Sequence, residues 1–365
     1  MLRSTPSARA RSARARRCVA ARPGRLDAAP ASPQPAARAS RRALGALALG
    51  ALASTTPRAS FVSRGACDET TRDWFYLWHG MGDTGEGLDE LALALARRPS
   101  ACARSVRIDG GGGDRYSSYV GDVAAQVSAV CEAVVGDETR RASGTTRTHA
   151  LGFSQGGQFA RALVETCDGV KFTTLVTFGA QHLGVDALPG CGGDWATISR
   201  ACRAMNAMAS ALSASDFARR RIVQAQYFRD TSTNAKYQRY LETNAFLPWV
   251  NNEGTANERD GASRREALTS LERFVMFMFE FDDMVFPKES SWFGSRVVGG
   301  TNRSEIIPYD RNDVVYESLG LAALDADGRL EARLVPAARH MQLSLDWFVR
   351  EVVEKYYSDS GSDAL

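Results

Sequence analysis

Thr148-His149-Ala150-Leu151-Gly152-Phe153-Ser154-Gln155-Gly156-Gly157-Gln158-Phe159 changes character at its midpoint. Thr148 to Phe153 predicts a short strand, and Phe159, Leu163 and Val164 give the following residues an apolar helical stripe. Between them lies a G-x-S-x-G pattern, Gly152 to Gly156. A sharp strand-to-helix turn has little room beside the serine, so glycines two before and two after let it hold its hydroxyl above the sheet edge. Ser154 is therefore a candidate nucleophile, with an ordinary glycine-rich turn as the alternative.

Outward from this turn, strand and helix signals alternate. Trp74 to Trp78 is a bulky run that stops at His79-Gly80-Met81-Gly82-Asp83, as a buried strand entering a turn does. Gly110 to Gly113 reads as a loop. Val123, Val127, Val130 and Val134 recur at helical spacing within 122–135, and Leu175 to Phe178 is another strand. Such alternation predicts a doubly wound, mostly parallel α/β sheet with its reactive loops at the carboxyl ends of the strands. From about 185 to 271 the pattern becomes polar-punctuated, with one Ala- and Met-rich helix at 201–212, and reads as an inserted cap. Phe274 to Phe281 is the most apolar strand, and Leu345 to Tyr357 a closing amphipathic helix.

The chain has 365 residues, 44% apolar and 24% charged, enough for a well-buried core. Its formal charge of +3 is uneven. Residues 1 to 60 carry twelve Arg and one acid, Asp27, which leaves 33 basic against 41 acidic residues in the body. A nucleic-acid partner is not expected of an acidic body. Residues 1–59 read as a targeting leader: an Arg-, Ala- and Ser-rich preface, then Arg41 and Arg42, then the apolar run Ala43 to Ala53. As a helix that run rises only about 16 Å against a hydrocarbon core of about 30 Å, so no permanent membrane span is expected. The mature domain is placed at 60–357, with a polar tail at 358–365.

Cys18 lies in the leader and six cysteines in the body: Cys67, Cys102, Cys131, Cys167, Cys191 and Cys202. None forms a Cys-x-x-Cys pair, so zinc is not expected, and the even count suits three disulfides in an oxidising compartment. The sequon Asn302-Arg303-Ser304 points the same way, as a candidate glycosylation site. Entry into the secretory pathway is favoured, towards lysosome, vacuole or exterior. The alternative is an organelle such as a plastid, which the Arg-rich preface would suit.

Serine needs a base to take its proton and an acid to orient the base. Of the four histidines, His79 lies in the first glycine-rich turn, His149 inside the strand leading to Ser154, and His182 after the next strand. His340, in a late loop before the last helix, has the chain position expected of the base. The acid is sought at the end of the Phe274 run, at Asp282 or Asp283. These point to opposite sides if the strand continues, so one meets His340 and the other caps the loop toward Pro287. Donors for a developing oxyanion are the N–H groups of Met81 and Gln155. No cofactor is called for.

With these pieces in place, the sequence resembles the palmitoyl-protein thioesterase family of the α/β-hydrolase superfamily. The resemblance rests on Trp78-His79-Gly80-Met81-Gly82-Asp83, Leu151 to Phe159, Gly179-Ala180-Gln181-His182-Leu183-Gly184-Val185, Ser291-Trp292-Phe293-Gly294 and His340-Met341-Gln342-Leu343-Ser344. It implies an α/β-hydrolase fold, a triad of Ser154, Asp282 and His340, and oxyanion amides at Met81 and Gln155. It also implies disulfides Cys131–Cys167 and Cys191–Cys202, leaving Cys67 with Cys102. The implied activity is hydrolysis of long-chain acyl groups, palmitoyl above all, from S-acylated cysteine of proteins or peptides. Walls for the acyl chain are expected at 201–212 and 246–249. A lipase or carboxylesterase with the same triad, or an inactive acyl-binding protein, is the alternative.

Overall fold

Strand β2 (Asp73–Trp78) is buried along its whole length. Trp74, Tyr76 and Trp78 enter one core while Phe75 and Leu77 enter another, the two-residue period of a strand covered on both faces. The computed structural model describes residues 56–358 apart from 145, 193–198, 255, 256 and 303. The apolar run 43–53, Cys18, most of the leader, Arg303 of the sequon and the tail beyond 358 therefore lie outside the described residues.

Around β2 stand β1 (Arg58–Gly65), β3 (Ala101–Asp109), β4 (Arg147–Phe153), β5 (Thr174–Phe178) and β6 (Arg273–Phe279). A two-stranded ribbon, β7 (Ser295–Arg296) with β8 (Ile306–Ile307), precedes the last sheet strand, β9 (Leu330–Val335). The seven-stranded sheet has the order β1-β3-β2-β4-β5-β6-β9, and only β1 runs antiparallel to its neighbour. Arg58 and Ala59, placed in the leader by sequence, pair with Asp109 and Ile108 on this edge strand.

The helices are α1 (Asp89–Ala96), α2 (Asp114–Ser117), α3 (Val123–Val135), α4 (Glu138–Ala142), α5 (Gln155–Thr166), α6 (Arg200–Ser213), α7 (Asp216–Arg221), α8 (Asn234–Thr243), α9 (Leu247–Val250) and α10 (Asn257–Thr269), followed by shorter turns. Apolar residues of α3, α5 and α10 share the Trp74 core, while α1 and the helical segment 345–357 pack on the Phe75 core. Helices on both faces of a mostly parallel sheet make an α/β-hydrolase architecture. From β2 the chain reaches β3 on one side and then crosses back to β4 on the other, so the strand order reverses between β2 and β4. The crevice at their carboxyl ends is the topological switch point, where open α/β sheets bind ligands.

Two expectations change. Strand β6 ends at Phe279, because the amide of Asp282 turns back to the Phe279 carbonyl at 3.3 Å and Phe281 is exposed. The inserted region holds α7 to α10 besides α6, hidden in sequence by Pro248 at the start of α9 and Gly261 within the very polar α10. Cysteines bond as Cys67–Cys102, Cys131–Cys167 and Cys191–Cys202. Among the described residues no helix is long and apolar enough to cross a membrane.

Candidate active site

Ser154 occupies the hinge between β4 and α5 with φ 55° and ψ −126°, a conformation costly for any side chain except glycine. Two neighbours make the turn possible. A Cβ at Gly156 would stand 2.3 Å from the Trp78 carbonyl oxygen and 2.4 Å from that of His79, so only glycine lets α5 start this close to the end of β2. The amide of Ser154 donates to the Phe178 carbonyl at 2.8 Å and pins the turn to β5.

The serine hydroxyl donates to His340 Nε2 at 2.8 Å, and His340 Nδ1–H donates to Asp282 Oδ2 at 2.8 Å. The carboxylate facing Nδ1 fixes the tautomer that leaves Nε2 free to accept. Asp282 Oδ1 in turn accepts the N–H groups of Met284 and Val285, both at 2.9 Å, and the Asp282 side chain is fully buried. Loop capping therefore falls to Asp282 itself. Asp283, expected to cap toward Pro287, is instead exposed and pairs with Arg339 at 2.8 Å, because the chain has left the strand before reaching it.

Gly179, at φ 56°, makes room for the imidazole: a Cβ there would lie 2.9 Å from His340 Cε1. Gln181 Nε2 donates to Ser154 Oγ at 3.3 Å. Neither role emerges from the sequence, although both residues follow β5 in the run Gly179 to Val185. His182 itself is buried away from the serine with Nε2 3.0 Å from Thr177 Oγ1, and His149 pairs with Asp73 at 3.3 Å. Burial lowers the pKa of both, as it does for any imidazole denied water.

The turn after β2 is held by a contact that sequence reasoning missed. His79 Nε2 reaches Asp114 Oδ1 at 3.0 Å and its Nδ1 the Gly80 carbonyl at 2.9 Å, so both ring nitrogens face acceptors. Burial works against its charge but is outweighed by the hydrogen bond and charge of Asp114, and its pKa is raised. Asp114 also accepts N–H from Gly85 at 2.8 Å and Ile108 at 2.7 Å; although burial opposes its charge, these partners and His79 lower its pKa. Gly80 backs directly onto the serine, for a Cβ on it would stand 3.0 Å from Ser154 Cβ. That brings the turn containing Met81 beside the first residue of α5, Gln155, whose N–H has no intrahelical acceptor. The Gln155 side chain is anchored by Ser118 O at 2.9 Å and Tyr227 Oη at 3.1 Å.

Ser154 and His340 open into a cavity of about 490 Å³ lined by apolar residues such as Met81, Leu88, Leu91, Met284, Met341 and Leu343 together with Asp83, Glu86, Asp89 and Glu90. These are not the walls expected from sequence. Phe246, Leu247 and Val250 are core, with Phe246 edge-on to Phe159, and α6 lies elsewhere on the cap, Ser210 and Ser213 lining a small pocket distinct from this cavity. Apolar residues at helical spacing were mistaken for a ligand wall.

A family profile described as "Palmitoyl protein thioesterase" matches residues 75–340. A palmitoyl-protein thioesterase–dolichyl pyrophosphate phosphatase fusion protein of Schizosaccharomyces pombe is 35% identical over 288 residues, 78% of this chain and 43% of that protein. Palmitoyl-protein thioesterase 1 of Caenorhabditis elegans is 33% identical over 210 residues, 57% of this chain and 66% of that one. The matched regions thus span less than two thirds of these relatives. Among solved structures, a thermophilic esterase from Thermogutta terrifontis superposes with a TM-score of 0.44 at 12% identity, covering 84% of this chain and 90% of its own. Together the profile match and the identity to the fission-yeast protein establish that the chain belongs to the palmitoyl-protein thioesterase family.

Proposed function

We propose that the protein hydrolyses long-chain thioesters, removing palmitoyl-type acyl groups from S-acylated cysteine of proteins or peptides. The supporting observation is the continuous relay from Ser154 Oγ through His340 to Asp282, with both hydrogen bonds at 2.8 Å, opening into a cavity lined by apolar and acidic side chains.

His340 Nε2 takes the hydroxyl proton as Ser154 Oγ bonds to the thioester carbonyl carbon, and Asp282 stabilises the resulting imidazolium. The N–H groups of Met81 and Gln155 receive the oxyanion. Collapse breaks the C–S bond, and the cysteine sulfur leaves with the proton held by His340. Water, deprotonated by the same imidazole, then attacks the acyl-serine carbonyl; its proton returns to Ser154, and the fatty acid departs. Burying an acyl chain contributes about 0.8 kcal/mol per CH₂, so the methionine and leucine side of the cavity favours long chains.

The leader, which ends before β1 begins at Arg58, directs the chain into the secretory pathway, towards lysosome or vacuole; three disulfides and an exposed Asn302 in a sequon support that reading. The domain, expected at 60–357 and begun by β1 at Arg58, carries the chemistry, with its cap at about 185–271. Hydrolysis of a palmitoyl-cysteine peptide is compared with hydrolysis of a triglyceride. Thioester turnover that depends on Ser154 is expected. Turnover of triglyceride alone would identify a lipase and overturn the thioester assignment.

A further inference from the structure

Helix α6 is built inside out. Its uncharged polar residues Asn206 and Ser210 turn toward the protein: Asn206 is buried, accepting the Leu188 N–H at 2.8 Å and donating to the Cys191 carbonyl at 2.9 Å, and Ser210 donates to Asp230. Its apolar residues turn outward. Met205, Met208 and Leu212 are 44%, 59% and 50% exposed and recur at spacings of three and four, and four alanines of the same helix are exposed with them. Phe217 of α7 is 59% exposed. A helix on a water-facing surface normally has the opposite arrangement.

The charge beside this apolar face is basic in an acidic body. Residues 200–221 hold five Arg against one acid, Asp216. Arg220 is exposed, Arg221 lies over the Phe217 ring at 5.5 Å, and Arg219 pairs with Asp216. Apolar side chains bordered by arginine are the composition of a helix that lies in a lipid interface.

The face also adjoins the site. Arg221 O accepts the Gly121 N–H at 2.9 Å, and Val223 N–H donates to the Tyr119 carbonyl at 3.0 Å. The Tyr119 hydroxyl is packed against Gly82, where a Cβ would be only 2.4 Å from it, and Gly82 follows Met81 in the turn that lines the Ser154 cavity. A surface engaged through α6 and α7 is therefore one short segment away from the cavity.

We infer that the α6–α7 face docks the protein on an anionic membrane, with Met205, Met208, Leu212 and Phe217 among the acyl chains and the arginines at the headgroup phosphates. Charge selects this occupant. In a two-fold dimer through the same face the patch meets itself and arginine opposes arginine, whereas an anionic lipid surface complements it. The link to catalysis rests on the proposed function, since an acyl chain attached to a membrane-bound cysteine starts in the bilayer. Lipid binding is measured without catalysis, so its failure leaves the Ser154 assignment untouched.

The test is co-sedimentation of the full chain with phosphatidylcholine vesicles made with and without phosphatidylserine. The Arg-rich leader itself attracts anionic lipid, so wild type is compared with Met208→Asp/Phe217→Asp and, on a single exposed side chain, with Arg220→Glu. Wild type is expected to pellet with the phosphatidylserine vesicles, and each variant to bind them about ten-fold more weakly. Melting temperature and turnover of a soluble short-chain thioester are expected to stay unchanged. Wild type remaining in the supernatant, or either folded variant binding equally well, overturns the inference. So does light scattering that finds a wild-type dimer which Met208→Asp/Phe217→Asp dissolves, for the face would then be a protein interface.

Discussion

Asp282 and His340, 58 residues apart in sequence, meet at 2.8 Å, while the adjacent Asp283 faces solvent against Arg339. Position in the turn separates the two carboxylates. Asp282→Asn removes the acceptor that fixes the imidazole tautomer and is expected to lower kcat on a palmitoyl-cysteine peptide by about 10⁴. Asp283→Asn breaks only an exposed ion pair and is expected to change kcat by less than about threefold. Steady-state rates of the two purified variants check this, and a reversed order would reject the assignment.

In the proposed mechanism His79 and Asp114 act one step back from the reacting atoms, holding the turn that carries Met81, whose amide is the proposed oxyanion donor. Asp114→Asn is expected to lower kcat by about 10- to 100-fold with little change in KM, since a misplaced oxyanion donor is felt only in the transition state. The raised pKa of His79 contributes stability below its ordinary value that is lost as pH rises through the raised one. The lowered pKa of Asp114 contributes above the usual carboxylate range, lost as pH falls through the lowered one. The pair therefore stabilises the turn between those two limits. An unchanged kcat would show that the turn needs no such support.

Glu165 is buried on α5 beside Arg161, whose guanidinium reaches it at 2.8 Å and also bonds the Val250 carbonyl and Asn251 of the cap. Burial outweighs Arg161 and pushes the Glu165 pKa from 4.5 to about 7. Between those values the folded chain keeps a proton that the unfolded chain has released, so this group's stability is full below 4.5 and falls as pH rises toward neutrality. Glu165→Gln is expected to gain several degrees in Tm on wild type as pH goes from acidic to neutral. A thermal-melt series in which the difference stays constant would refute this.

How much of this was legible beforehand differed by kind of residue. Ser154 and His340 were visible because glycine spacing and chain order mark them locally, and β2, β4 and β5 because continuous burial leaves an unbroken apolar run. Strand β1 was not read as a strand, and its first two residues were placed in the leader, since an edge strand half in solvent carries no such run. The choice between Asp282 and Asp283 depended on where β6 stopped, and the apolar run continues past its end at Phe279 to Phe281, which is exposed in the turn. Asp114 and Gln181 act through contacts closed by the whole fold, and no local pattern announces them. The acyl walls were misplaced because exposed and buried apolar helices look alike in sequence; α6 shows its apolar side to solvent, while Phe246 and Leu247 are core.

Fluorophosphonate labelling followed by peptide mass spectrometry bears most directly on the convergence of Ser154, His340 and Asp282. The probe reacts only with a serine whose proton is being withdrawn. Wild type is expected to take up one label on the peptide containing Ser154, His340→Ala to label far more slowly, and Ser154→Ala not at all. Failure of the folded wild type to label, or equal labelling of Ser154→Ala, would contradict the account.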